Sequence, residues 1–169
     1  MQLDATFQKT VELKYPEQVV LVLTSDSGGK VNVITLGWSM LCSHNPPMMA
    51  IAVGNNRHSH QSLVANGEFV LAFPGVDMAE AALFCGTHSG RNTDKIVQTG
   101  LKIEPGVKID VPILAEAVSN FECRVVSSLL TGDHTIFVGE VLASHHHPDP
   151  PRRLFTLGPN YDLGLPGGG

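Results

Sequence analysis

The chain has 169 residues, 43% of them apolar and 16% charged, and a formal net charge of −5. One domain of that length can bury roughly two-thirds of the surface its unfolded form would expose, and the apolar content excludes a disordered chain. The eleven Lys and Arg are scattered along an acidic sequence, which leaves no basic face for a nucleic-acid backbone and excludes nucleic acid as a partner.

The opening "QLDATFQKTVELKYPEQ" has neither the basic start nor the apolar h-region of a signal peptide. No apolar run of about 18 residues occurs anywhere, so no membrane span is expected and the chain reads as cytoplasmic. Residues 1–14 form an N-terminal extension. "VVLVLT", Val19 to Thr24, is a continuous apolar and β-branched run; "SDSGGK" carries hairpin-turn chemistry, and "VNVITLGW" alternates, which together predict strand, turn and strand. "PMMAIAVG" is a third buried strand between the Pro46-Pro47 pair and Gly54.

"RHSHQSLVANG" is a short helix with Leu63 and Val64 on one face and Asn66-Gly67 as its C-cap, and "GEFVLAF" is a fourth strand. "DMAEAALFCG" predicts a helix with Asp77 as N-cap and Glu80 completing a capping box. "NTDKIVQTG" is a third short helix closing on Gly100. "SNFECRVVSSLL" and "HTIFVGEVLASHH", joined by "TGD", form a long antiparallel hairpin, with Phe121, Cys123 and Val125 facing one way and Glu122 and Arg124 the other. Residues 146–169 are a C-terminal extension, and the His145–His147 run is internal rather than a terminal tag. The whole, residues 1–169, reads as one mostly β domain, an antiparallel β-barrel with peripheral helices.

Cys42, Cys85 and Cys123 lack close CxxC spacing, so reduced thiols are expected, and core or pocket packing is preferred to a redox role for Cys42. "GNNRHSHQSL" raises the question of a metal, a phosphate or an ordinary loop. His58 and His60 are two apart and point to different helix faces, whereas ligands from one helix prefer spacings of three or four; Cys42, His44, Cys85 and His88 add no recognised ligand spacing. No metal is expected. An anion fits better: a helix starting near Ser59 presents unpaired N–H groups and a positive dipole end, with Arg57 and the Ser59 hydroxyl beside them. Read alone, the stretch favours a capped surface helix. "CGTHSGRNTDK", holding Ser89 and Lys95, shifts the balance toward phosphate by adding a second cation. Trp38 ends the second strand as a surface for a planar ligand, and His134 opens a strand in "GDHTIF".

The order "NVITLGW", "PP", "IAVG", "NGEFVLAFP", "FCGTHSGRNTDK", "NFECRVV" and "GDHTIFVGEV" resembles the flavin reductase-like, FMN-binding split β-barrel family, which includes flavoredoxins, over about residues 15–145. The resemblance implies a homodimer of split barrels, each holding FMN, rather than FAD, without a covalent bond. Carried over by position, the cofactor residues are Asn32, Trp38, Ser59, Lys95 and His134; Ser59 stands where flavoredoxins usually have Thr, and keeps the hydroxyl. Tyr161 in "FTLGPNYDLG" is the aromatic expected over the flavin. Arg57, Ser59 and Lys95 would hold the phosphate, Ser89 is a further cofactor contact, and the "SMLCS" segment (Ser39, Met40, Leu41, Cys42 and Ser43) would flank the ring. His134 is the catalytic candidate, near the ring or the incoming nicotinamide, while His58 and His60 line the loop.

No paired carboxylates, GxSxG or Cys-His-Asn arrangement stands out, which argues against hydrolysis and leaves the difficult chemistry to a cofactor. The resemblance implies an oxidoreductase in which NAD(P)H reduces bound flavin and the electrons pass to an acceptor. No GxGxxG follows a strand, so NAD(P)H would bind transiently over the flavin. Two rival readings stay open: a flavoredoxin-like carrier fed by an electron-transfer protein, with little NAD(P)H activity, and a ligand-binding barrel without redox function. The apolar strands "VVLVLT" and "MMAIAV", with few charges to guard them, supply the expected dimer surface.

Overall fold

The computed structural model describes residues 2–167. The apolar run at Val19–Thr24 becomes β2 (Val20–Ser25), buried as far as Thr24 and paired antiparallel with β3 (Val31–Leu36) from Val20 opposite Leu36 to Ser25 opposite Val31. Asp26 shapes the intervening turn by accepting from the Gly28 and Lys30 N–H groups, each at 2.9 Å, while Gly29 takes the left-handed φ of 80°. β5 (Pro47–Gly54), α2 (His58–Asn66) and β6 (Glu68–Phe73) follow the predicted order. Gly67, at φ 65°, ends α2 by donating to the Leu63 carbonyl. β9 (Ser119–Thr131) and β10 (His134–His146) form the long hairpin, turning through Gly132 at φ 56°.

β4 (Ser39–His44) was not foreseen. It pairs with β5 at the sheet edge, and Met40, Leu41 and Cys42 are all exposed, so no period-two burial pattern marks it. The short α1 (Phe7–Glu12), β1 (Glu17–Gln18), β7 (Ile103–Glu104), β8 (Ile113–Leu114), β11 (Phe155–Gly158) and β12 (Asp162–Gly164) also lay outside the sequence expectations. The main sheet runs β3-β2-β6-β9-β10-β5-β4, with every pair antiparallel; β1, β11 and β12 form a smaller sheet, and β7 pairs with β8. The main sheet curls around one core: Val22 of β2, Ile34 of β3, Phe69 of β6, Cys123 of β9, Phe137 of β10 and Ile51 of β5 pack together, with Leu63 of α2 among them. The opposite face of β2, β3 and β6 packs a second core, where Leu21, Leu23, Val33 and Val70 meet Ala82 and Cys85 of α3 (Ala79–Thr87) and the 101–117 segment. This is the split β-barrel with peripheral helices that the sequence predicted.

Three local expectations are corrected. Asp77 does not cap α3: it lies in a 3₁₀ turn, Val76–Met78, and α3 starts at Ala79 without a side-chain cap. Val64 is exposed while Leu63 is buried, because neighbouring residues on a helix are about 100° apart. The strands expected to supply a dimer surface are interior: Val19–Leu23 and Met49–Ile51 are buried within the one chain. Glu122 shares its side of β9 with Arg124, as the alternation predicts, yet it is fully buried whereas Arg124 is exposed. Its carboxylate accepts from the backbone N–H groups of Val107, Lys108 and Ile109 at 2.9, 2.7 and 3.1 Å and lies 2.6 Å from His145 Nε2. Burial works against its charge, yet the Val107 and Lys108 N–H groups, with His145 and Ile109, hold the carboxyl below the usual range.

Candidate functional site

Lys95 opens α4 (Lys95–Thr99), whose N-cap Asp94 accepts from Val97 N–H at 3.1 Å and whose C-cap Gly100 takes φ 69°. The turn directs the lysine inward, where it is only 4% exposed. Its ammonium donates at 2.7 Å to the Val33 carbonyl of β3 and at 2.7 Å to the Cys85 carbonyl near the end of α3. An ammonium has three N–H groups, so one is left for the cavity that Lys95 lines. Burial holds its pKa below the usual lysine range, with Cys85 opposing that shift and Arg57 adding to it. Burial in turn pushes the Cys85 thiol up to about 11, against the pull of Lys95.

The cavity beside it measures about 260 Å³. Lys95, Arg57 and Arg91 all line it and no carboxylate does, in a chain whose net charge is −5. Such a concentration of cations draws an anion. Ser59, in the first turn of α2, is buried and accepts from Asn32 Nδ2 at 2.7 Å, while the Asn32 Oδ1 atom is buried without a hydrogen-bond partner among the described residues. A buried acceptor without a donor is costly unless a ligand hydroxyl or N–H supplies one. Gly90 closes over Asn32 so tightly that a Cβ at that position would stand 2.0 Å from Oδ1.

A second hollow of about 270 Å³ continues from the first, sharing Ile34, Arg57 and Gly86 with it. Trp38, His134 and Tyr161 line this one. The Trp38 and His134 rings lie 4.7 Å apart at 46°, and Trp38 is 53% exposed, leaving an indole face for a flat ligand. His134 is oriented through Nδ1, 2.7 Å from the Asp133 carboxylate, and that hydrogen bond is the main reason the Asp133 pKa is lowered. Asn160 and Tyr161 take φ 68° and 60° in the β11–β12 turn; Tyr161 lines this hollow, and both residues line a larger groove of about 430 Å³.

The expected residues thus fall into groups. Asn32, Arg57, Ser59, Ser89 and Lys95 share the first cavity; Trp38, His134 and Tyr161, with Arg57 again, share the second. Ser39 and Met40 border a shallow apolar depression on the other side of Trp38. Leu41, Cys42 and Ser43 run on along edge strand β4 and line neither cavity, and the Cys42 thiol is exposed, 3.5 Å from the Met48 carbonyl, rather than packed in a core or pocket. His58 borders the cavity, whereas His60 is turned away, 2.9 Å from Thr135 Oγ1 and edge-on to Phe137, so the two histidines do not converge. Gly86, Gly90 and Arg91, which the sequence did not single out, also line the first cavity, as does Asn56 of the loop before α2. Their signal was the density of Gly and Asn around the cations, where backbone must approach a ligand closely.

Among the described residues no helix is long and apolar enough to cross a membrane. The family model of the flavin reductase like domain matches residues 13–161. An uncharacterized protein of Archaeoglobus fulgidus is 35% identical over 136 residues, 80% of this chain and 76% of that protein. A flavin reductase (NADH) of Kitasatospora aureofaciens is 29% identical over 82% of this chain and 71% of its own. Among solved structures, flavoredoxin from Methanosarcina acetivorans superposes with a TM-score of 0.85 at 26% identity, covering 100% of this chain and 95% of that one. Matched along nearly its whole length and folded on the same split barrel, this chain belongs to the flavin reductase-like family.

Proposed function

We propose that the protein binds FMN non-covalently and acts as an NAD(P)H-dependent flavin reductase, passing electrons from reduced flavin to an acceptor. The observation that carries this reading is the first cavity, lined by three cations, no carboxylate, and Asn32, whose buried Oδ1 has no hydrogen-bond partner among the described residues. Cations suit a phosphate, and the unpaired acceptor suits a sugar-alcohol hydroxyl; a ribityl phosphate offers both. Lys95, Arg57, Ser59 and Ser89 would hold the phosphate, Asn32 a ribityl hydroxyl, and Trp38, His134 and Tyr161 the ring. Bound FMN supplies the hydride-accepting chemistry. Among the protein's own residues, Trp38 and Tyr161 offer aromatic faces to the ring, and His134, held by Asp133, keeps Nε2 available as a hydrogen-bonding group for the ring or nicotinamide.

The proposal includes a homodimer in the cytoplasm. The exposed side chains of Val126, Leu129 and Leu130 on β9 and of Met40 and Leu41 on β4 support a partner-covered surface. The test is the visible spectrum of the purified protein with and without added FMN, followed by chromatography of the released chromophore. A protein that stays colourless after FMN is added and the excess removed refutes the reading. The second reading, an electron carrier of the flavoredoxin kind served by a protein donor, is favoured by the similarity to the Methanosarcina acetivorans flavoredoxin. Stopped-flow bleaching of bound flavin by NADH or NADPH separates the two: rapid bleaching supports the reductase, and none supports the carrier.

A further inference from the structure

We infer that Arg91 latches the solvent end of the first cavity against Asn56 and thereby makes the site selective for FMN over FAD. The inference rests on the FMN reading above. FMN ends at its phosphate monoester, whereas FAD carries AMP on that same phosphate, so a site that closes beyond the phosphate admits one and obstructs the other.

Two loops border the cavity, and the backbone of each is fixed. In the first, Asn55 N–H donates to the Asp133 carbonyl at 3.0 Å, Asn55 Nδ2 to the Gly132 carbonyl at 3.3 Å, and Thr135 Oγ1 to Asn55 Oδ1 at 2.8 Å. These bonds tie the loop to the β9–β10 turn. In the second, Gly90 is buried and pressed onto Asn32, and the Arg91 and Asn92 N–H groups turn back onto Ser89 Oγ and the Ser89 carbonyl, both at 3.3 Å. Among the described residues one side-chain hydrogen bond joins the two loops: Arg91 Nη2 donates to the Asn56 carbonyl at 3.2 Å.

Arg91 is exposed whereas Lys95 is buried. The lysine therefore belongs to the floor and the arginine to the mouth. Among the described residues Arg91 forms no ion pair, so its charge is available to an anion in the cavity it lines. A guanidinium that donates at once to a carbonyl and to a terminal phosphate seals the rim over a monoester. A phosphodiester whose second half left between these loops would have to break the Arg91–Asn56 contact.

The test titrates the flavin-stripped full chain with FMN, FAD and riboflavin, for the wild type and Arg91→Ala, following quenching of flavin fluorescence. The wild type is expected to bind FMN at least tenfold more tightly than FAD. Arg91→Ala should weaken FMN about three- to tenfold, leave riboflavin within twofold, and strengthen FAD at least threefold; an unchanged thermal melt shows that the fold is intact. The FAD result decides. An FAD affinity that falls along with FMN makes Arg91 a phosphate cation only, and one that stays constant removes the latch, so either overturns the inference. Equal wild-type affinities for FMN and riboflavin would instead overturn the underlying phosphate reading, a failure distinguishable from that of the latch.

Discussion

Replacing Lys95 by Met, of similar length but without charge, tests the residue that joins fold and site. Two carbonyls, of Val33 and Cys85, lose donors at 2.7 Å. A buried polar group left unsatisfied costs about 1 to 3 kcal/mol, so the pair implies about 2 to 6 kcal/mol. Relief of the buried ammonium's desolvation offsets part of this and brings the expected loss toward about 2 to 4 kcal/mol, a large share of a typical domain's 5 to 15 kcal/mol. Urea denaturation of the flavin-free protein, followed by far-ultraviolet circular dichroism, measures it. FMN should bind about 10- to 150-fold more weakly, the equivalent of one charged hydrogen bond of about 1.5 to 3 kcal/mol, while riboflavin is nearly unaffected. Added salt should shrink the FMN advantage of the wild type more than that of the variant, since screening acts on the charge pair that the substitution removes. Equal loss of affinity for both flavins would refute the phosphate role and leave Lys95 as a structural tie between β3 and α3. Unchanged stability would refute the worth assigned to the two carbonyl bonds.

Trp38→Ala should weaken FMN and riboflavin by the same factor, about three- to tenfold, as expected of a ring contact worth about 0.5 to 1.5 kcal/mol; a selective loss of FMN in a fluorescence titration would contradict that placement. The Glu122 carboxyl has a pKa held below its unfolded value, so it contributes stability that is present above about pH 4.3 and is lost as pH falls through the lower folded value. Glu122→Gln should lower stability at pH 7 by about 2 to 4 kcal/mol, as charged bonds to three N–H groups weaken, and should flatten the acid limb of a melting-temperature profile; an unaltered acid limb would exclude Glu122 as its cause. Gly90→Ala places a methyl 2.0 Å from Asn32 Oδ1, so the loop must shift. FMN affinity is expected to fall at least tenfold and stability by about 1 to 3 kcal/mol, and calorimetry showing neither would refute the close approach.

Most strands and the helix ends were legible because their signals are local. The β-branched run at Val19–Thr24 suits the pleated, buried surface of a sheet, and Gly67, Gly100 and Gly132 sit where left-handed φ is required. β4 was hidden by the same logic: an edge strand exposed on Met40, Leu41 and Cys42 has no alternation to read. The cations of the candidate site were likewise visible as residues, since Arg57 and Lys95 stand next to turn-rich segments. Their convergence was not visible. Arg91 and Asn56 are 35 residues apart and meet only because two pinned loops face each other.

The sequence by itself determined that a mostly β, antiparallel barrel with short helices would form, and that Gly- and Asn-rich cationic segments lay between its strands. Only the tertiary structure decided which charges go inside. Lys95 looks like any lysine on a short helix until β3 brings the Val33 carbonyl, 62 residues away, within 2.7 Å of its ammonium. Glu122 looks like the polar half of an alternating strand until the 107–109 backbone turns three N–H groups onto it. Backbone preference is set by the residue and its immediate neighbours. The cost of burying a charge depends on donors and acceptors that only the completed fold brings within hydrogen-bond distance.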